Sequence, residues 1–496
     1  MYGRAKLLPS TCIGLLCMLL PPVHAQPLAE ALHSILDDPA TSNAWWGAYV
    51  IDLASDEPVF AWNATRSFMP ASGTKLFTTA AVLDLLGPDY QYETRLFTDG
   101  TIDGDILHGN LIARGSGDPS IGSEHVAPSR IQVFNTWAKT LREAGIRQIT
   151  GNVIGDDDIF DDTPLGLGWA WDDGVYGYAA QISGLSFHDN IVELTAKAQS
   201  HGAPAAISWE PLSTDYITVI DSTNTIERGA ALSEGYSRAP GTNTIHLFSE
   251  IPQGQTDLEK LAVHNPTQYF VHVLHTVLES HGIAVEGDPM DTDDLPAKIV
   301  YPSLQLLAHH LSPPLSELVS VANKESQNLY AELLLRTLGA EYPTLELEWS
   351  AGSAEQGIAA AMATFAAAAI DTSRLQLVDG SGLSRKNLVT PTMVVQLLRY
   401  MAHHEDAQVR TAFEKSLAVA GRDGPLEFRF LSRDGPTVRL YDKTGTLGNV
   451  STLSGYLHTQ GGRRLAFAVM CNHYAVPSRT VRRIQDHFLT TLARKL

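Results

Sequence analysis

Apolar positions along this chain change their period several times, and each change marks an element. In "PLAEALHSILDD" (residues 27–38) the leucines and the isoleucine fall three and four apart, which predicts an amphipathic helix. "WWGAYVIDLASDEPVFAWNA" (residues 45–64) predicts two strands about a polar turn at residues 55–57. "MPASGTKLFTTAAVLDLLG" (residues 69–87) predicts a turn running into an apolar helix. The other end mirrors this. "TVRLYDKTGTLGNVSTLSGYLHTQGGRRLAFAVMC" (residues 437–471) predicts three strands with a hairpin at Gly461 and Gly462. A last amphipathic helix, from about Ser478, is expected to pack Val481, Ile484, Phe488 and Leu492 onto that sheet.

Between about residues 90 and 302 the pattern shortens. "DILHGNLIARG", "QITGNVIGDDDIF" and "DYITVIDSTNTI" alternate over a few residues each and predict a β-rich region with many turns. Helical runs are expected to dominate residues 304–404, and the alanine-rich "GIAAAMATFAAAAI" (residues 357–370) fits a buried helix better than a membrane span. One sheet is therefore built from both ends of the chain, with a β-rich insert between.

Composition narrows the classes. At 496 residues the chain is too long for one core. A formal charge of −20 argues against nucleic acid and anionic lipid as partners. The acidic "GDDDIFDD" (residues 155–162) lacks the alternating ligands and glycine of a calcium loop and is expected to be a solvated turn. At the N-terminus, Arg4 and Lys6 precede an uncharged stretch over residues 7–20 that ends in "VHA". That predicts a secretory signal, residues 1–25, cut after Ala25. The stretch is too short for a permanent membrane anchor, so a periplasmic protein is expected. Of the three cysteines, Cys12 and Cys17 leave with the signal, and Cys471 lies in an apolar strand as a packing residue. Neither cofactor nor metal is expected: His272 and His275 lack the adjacent glutamate and the spacing of a zinc-binding helix.

Three short motifs carry candidate chemistry. Ser72 and Lys75 are three apart at the start of the apolar helix, and Lys75 alone of the eleven lysines has a serine three residues before it. A serine needs a base to become a nucleophile. A lysine serves as one only where burial or a neighbouring cation lowers its pKa. Ser326 and Asn328 lie on a turn entering the helix "NLYAELLLRTLG", flanked by Lys324. Ser222-Thr223-Asn224 has the same spacing but sits in an alternating strand pattern. Lys443-Thr444-Gly445-Thr446 lies on a predicted strand, where a glycine marks close approach by a backbone or a ligand. No Gly-x-Ser-x-Gly occurs, which excludes an α/β-hydrolase.

Ser-x-x-Lys, Ser-x-Asn and Lys-Thr-Gly in this order resemble the active-serine signature of penicillin-binding proteins and serine β-lactamases. "PASGTKLFTTAAVLDLLGPDY", "NLYAELLLRTLG", "DGSGLSR", "VAGRDGPLEFR" and "KTGTLGNVSTLSGY" are similar to the low-molecular-mass class C penicillin-binding proteins, the D-Ala-D-Ala carboxypeptidase/endopeptidase family. The resemblance covers nearly all of the mature chain and departs at Gln327, where the family more often has Asp or Asn. It implies an α/β (α+β) fold, a β-lactamase/transpeptidase-like domain whose central antiparallel sheet is flanked by helices. The catalytic domain would span residues 26–90 and 302–496, with a β-rich insertion of two subdomains over 91–301.

The resemblance also implies roles. Ser72 attacks the D-Ala-D-X carbonyl, Lys75 takes its proton, and Lys443 helps keep Lys75 neutral. Ser326 relays a proton to the leaving amine, and Asn328 holds Lys75 and the substrate amide. Lys443 and Thr444 bind the terminal carboxylate, and the N–H groups of Ser72 and Thr446, the latter next to Gly445, form the oxyanion hole. Trp169 and Asp172 of the insert reach back over the site. Asp172 with Leu383 and Arg385 of "DGSGLSR" would receive a zwitterion such as the side chain of meso-diaminopimelate. The implied partners are peptidoglycan stem peptides, and β-lactams as covalent inhibitors. A β-lactamase is the nearest alternative, disfavoured by some two hundred extra residues after the first motif and by the lack of Glu-x-x-Leu-Asn. A slow muropeptide-binding scaffold is the other, disfavoured by the intact nucleophile motif.

Overall fold

The computed structural model describes residues 25–212, 214–343, 352–432, 435–436 and 438–496. The expected signal lies outside the described residues except for Ala25, where the helix Ala25–Leu36 begins. Among the described residues, no helix is long and apolar enough to cross a membrane.

A six-stranded antiparallel sheet joins the two ends of the chain. Its order is Pro58–Trp62, Trp45–Asp52, Arg464–Asn472, Val450–His458, Arg439–Leu447 and Ala418–Val419. The N-terminal strand lies directly beside the last one, with Trp46 opposite Cys471 and Ala48 opposite Val469. Strands buried on both faces read as continuous apolar runs rather than alternating ones. "LAFAVMC" is such a run, and each of its side chains is buried, the free thiol of Cys471 included. On one face lie Leu32 and Leu36 of the first helix with Val481, Ile484, Phe488 and Leu492 of the last, Ser478–Lys495. On the other lie the helices Lys75–Leu86 and Pro391–Ala402, with Leu315–Lys324, Asn328–Glu341 and Ala354–Ala367 packed behind.

The segment between the helix Lys75–Leu86 and the helix Leu315–Lys324 forms its own layered body. A mixed five-stranded sheet runs Pro289–Asp291, Val153–Asp156, Leu111–Arg114, Glu93–Thr98 and Gln305–Leu311. The helices Gln132–Glu143 and Pro266–Ser280 contribute to its core, and smaller sheets around Ile191–Lys197 and Thr244–Leu247 continue the same buried cluster.

Two expectations change here. "QLLAHHL" (Gln305–Leu311) is a strand, not the start of the helical section, because it pairs antiparallel with Glu93–Thr98. A short apolar run carries no period that separates helix from strand, so the partner decided it. The acidic turn is only partly solvated. Asp156 is buried and bonded to Tyr301, Asp157 accepts from Ser183 and Thr267, and Asp161 pairs with the buried Arg336 of the helix Asn328–Glu341. Asp161 thereby ties the insert to the helix that carries Asn328. Removing one partner of a buried ion pair typically costs about 3–5 kcal/mol. Asp161 is more exposed than Arg336, so Asp161→Ala should fall at or below the lower end, read as a loss of urea midpoint with an unchanged slope.

Candidate active site

The nucleophile turn is held by its neighbours before any chemistry is considered. Phe68 exchanges backbone hydrogen bonds with Val389, and Asn472 on the last strand accepts from the N–H of Met69. Ala71 then takes a left-handed φ of 49°, and Ala71–Thr74 form a 3₁₀ turn that passes into the helix Lys75–Leu86. In a 3₁₀ turn the side chains at i and i+3 eclipse. That is why Ser72 Oγ and Lys75 Nζ meet, at 3.1 Å. Two glycines let other segments close on this turn. A Cβ on Gly445 would lie 2.4 Å from Pro70 O, and one on Gly382 would lie 1.8 Å from Ala71 O. The close approach expected of the Lys-Thr-Gly strand is thus an approach of backbone to backbone.

Lys75 is fully buried beneath the turn. Its Nζ lies 2.6 Å from Asn328 Oδ1 and 2.7 Å from Ser381 O as well as near Ser72. Burial and then the charge of Lys443 push its pKa well below the usual lysine range, against opposing pulls from Asp379 and Glu332. Asn328 opens its helix, and its Nδ2 donates to Tyr178 O at 2.7 Å. Gln327 accepts from Leu329 N as the helix cap, so the departure from the family pattern serves the helix. Ser326 has a left-handed φ of 58°, a strained conformation at a functional turn. Its Oγ receives Lys443 Nζ at 2.8 Å. Lys443 also donates to Thr444 O and is itself 1 % exposed. Burial brings its pKa down to about 7. Lys324 pairs with Asp423 at 3.1 Å and takes no part in the cluster.

Two buried carboxylates complete the framework and are not singled out by the motifs. Glu332 accepts from Gly380 N and Ser381 N, and burial with the nearby Asp379 raises its pKa to about 7. Asp379 accepts from Gly382 N, Ser384 N, Asn387 Nδ2 and Trp169 Nε1. Together they fix the "DGSGLS" loop that offers Ser381 O to Lys75. A signal for Glu332 exists: it is a charge within the otherwise apolar run from Leu329 to Leu335, one turn from Asn328 on the same face.

The cleft has two lobes that meet at Ser72, Ser326 and Thr446. The larger, about 590 Å³, is lined by Asp172, Tyr178, Asn328, Leu383 and Arg385 among others. Arg385 donates to Gly448 O at 3.0 Å from the far side. The smaller, about 320 Å³, is lined by Thr444, Ser451, Thr452, Pro425, Arg429 and Arg482. Trp169 differs from expectation. Its neighbours Gly168 and Ala170 line the larger lobe, but its indole turns to Asp379 and packs toward Phe160, Leu329 and Leu333. It anchors the loop that presents Asp172. A separate cavity of about 400 Å³ between residues 126–137 and 309–313 has no lysine in its wall.

The sequence profile of the D-Ala-D-Ala carboxypeptidase 3 (S13) family matches residues 28–492. A D-alanyl-D-alanine carboxypeptidase of Actinomadura sp. (strain R39) is 31% identical over 505 residues, covering 98% of this chain and 88% of its own. The D-alanyl-D-alanine carboxypeptidase DacB of Haemophilus influenzae is 27% identical over 444 residues, covering 86% and 84%. The crystal structure of penicillin binding protein 4 from Haemophilus influenzae superposes with a TM-score of 0.79 at 25% identity, covering 93% of this chain and 98% of that one.

Proposed function

The chain belongs to the D-Ala-D-Ala carboxypeptidase 3 (S13) family, and from that premise we propose a serine D-Ala-D-Ala carboxypeptidase that is also a D-Ala-meso-diaminopimelate endopeptidase. It works on peptidoglycan in the periplasm through a Ser72 acyl-enzyme, and β-lactams acylate the same serine. The observation that carries this reading is the set of contacts around Lys75 Nζ. A neutral amine has two N–H donors and one lone pair. Asn328 Oδ1 and Ser381 O take the two donors, which leaves the lone pair for the Ser72 hydroxyl proton.

Ser72 Oγ bonds to the D-Ala carbonyl carbon as its proton passes to Lys75. The oxygen that becomes negative lies between the N–H groups of Ser72 and Thr446, a contribution that is often the largest single one in acyl transfer. Collapse breaks the carbon–nitrogen bond, and the leaving amine takes its proton through Ser326, which Lys443 orients. Lys443 and Thr444 receive the terminal carboxylate. Water then splits the ester and returns a proton to Ser72. Asp172, Leu383 and Arg385 line the larger lobe, where an anion and a cation in one lobe suit the free amine and carboxylate of a diaminopimelate side chain. Trp169 supports this subsite through Asp379.

Digestion of purified cross-linked peptidoglycan tests the reading. Free D-alanine and the conversion of dimers to monomers are expected, and the absence of both products would overturn it. The subsite has its own test. Asp172→Ala and Arg385→Ala should each lower kcat/KM for diaminopimelyl peptides about ten- to a hundredfold relative to simple acyl-D-Ala-D-Ala, the scale of a charged hydrogen bond of roughly 1.5–3 kcal/mol. An unchanged ratio between the two substrates would show that these residues do not read the side chain.

A further inference from the structure

The smaller lobe stands out by charge. The chain carries 55 acidic residues against 35 basic, yet among the described residues no carboxylate lines this lobe, and two arginines do. Arg429 is held by Asp486, which offsets its charge and fixes its direction. Arg482, on the helix Ser478–Lys495, is exposed and has no ion pair among the described residues. Among the described lining residues the net positive charge therefore comes from Arg482, and the buried Lys443 reaches the lobe through its bond to Ser326 Oγ. Thr444, Ser451 and Thr452 complete the wall, the last two with their hydroxyls donated to Gln485 and Pro70 O. One residue before the lining Arg429, Phe428 is 82 % exposed, an apolar side chain open to solvent.

The two lobes share Ser72 and extend from it in different directions. If the larger one takes the acyl side of the scissile bond, the smaller one is left for the portion that departs. A departing D-alanine has one carboxylate, and Lys443 with Thr444 suffices for it. A departing diaminopimelyl residue has the same carboxylate and an aliphatic chain that leads to a second stem peptide, which bears further carboxylates. We propose that the smaller lobe is a leaving-side subsite for that second stem, in which Arg482 pairs with one of its carboxylates and Phe428 covers the aliphatic chain. The subsite rests on the peptidase reading above and gives it a direction: the cleft is built to hold both stems of a cross-link. Opposite charges near a surface gain modestly and are screened by salt, so the effect is one of selectivity.

The experiment compares the full chain with its Arg482→Ala, Arg482→Glu and Arg483→Glu variants. Arg483 is exposed on the same helix and does not line the lobe, so its variant carries the same charge change as a control. The readout is the ratio of kcat/KM for a D-Ala-diaminopimelate cross-linked muropeptide dimer to that for acyl-D-Ala-D-Ala. The ratio should fall about fivefold in Arg482→Ala and more than tenfold in Arg482→Glu. It should hold in Arg483→Glu, and the losses should shrink at high salt. An unchanged ratio in both Arg482 variants, an equal fall in Arg483→Glu, or a wild type that cleaves acyl-D-Ala-D-Ala but not the dimer would each overturn the subsite. A wild type that neither cleaves acyl-D-Ala-D-Ala nor is acylated by benzylpenicillin would instead overturn the peptidase reading from which the subsite follows.

Discussion

Ser72→Ala should show no penicilloyl adduct by intact-mass spectrometry after incubation with benzylpenicillin, where the wild type shows one per chain. Turnover of acyl-D-Ala-D-Ala should fall by roughly a millionfold, the scale seen when a peptidase loses its nucleophile. Among the described residues the Ser72 side chain makes one hydrogen bond, with Lys75, so thermal unfolding should change little. The turn around it is fixed by other contacts, chiefly Thr452 Oγ1 to Pro70 O and Thr74 Oγ1 to Ala71 O. An adduct on the alanine variant, at any stoichiometry that follows the drug, would remove Ser72 from the mechanism.

The second large effect belongs to Lys75. Lys75→Ala should slow acylation by about a hundred- to ten-thousandfold, the usual contribution of a general base. A loss under about tenfold in a protein that unfolds normally would make the lysine structural. The pH profile separates the two roles further. On the proposed mechanism the neutral amine is the working form, and burial followed by Lys443 holds its pKa well below the lysine range. Acylation should therefore persist at neutral pH and decline as acid protonates Lys75. Lys443 sits near 7, so its charge is full below that pH and is lost above it. Loss of that charge weakens carboxylate binding, so kcat/KM should decline on the alkaline side as well. A profile that rises monotonically to pH 10 would mean that neither depressed lysine governs the reaction.

Much of this site lies open in the sequence because its parts are local. Ser72 and Lys75 share one turn, and Ser326 and Asn328 share one helix entry. Lys443, Thr444 and Thr446 share one strand. Spacing alone places such residues relative to one another, and the order of the three motifs completes the pattern. The residues that sequence reasoning passed over or placed differently act across long separations. Glu332 matters because its carboxylate accepts from a loop 48 and 49 residues away. Trp169 was expected in the cleft, but its indole meets Asp379, 210 residues on. Arg429 and Arg482 come from different elements and share a lobe only after the last helix covers the sheet.

By itself the sequence determined the elements with a clear period, the strands at both ends and the helix after Ser72 among them, and the three motifs to which the proposed chemistry is assigned. Only the tertiary structure decided which motifs meet and in what state. It brought Asn328 and Ser381, 253 and 306 residues from Lys75, to the same amine. It also made "QLLAHHL" a strand by supplying Glu93–Thr98 as its partner. The physical reason is the same in each case. Period and turn chemistry act over a few residues, whereas burial, strand partners and the field of neighbouring charges exist only after distant segments have packed. A lysine's identity is written in the chain, but its pKa is a property of the pocket that closes around it.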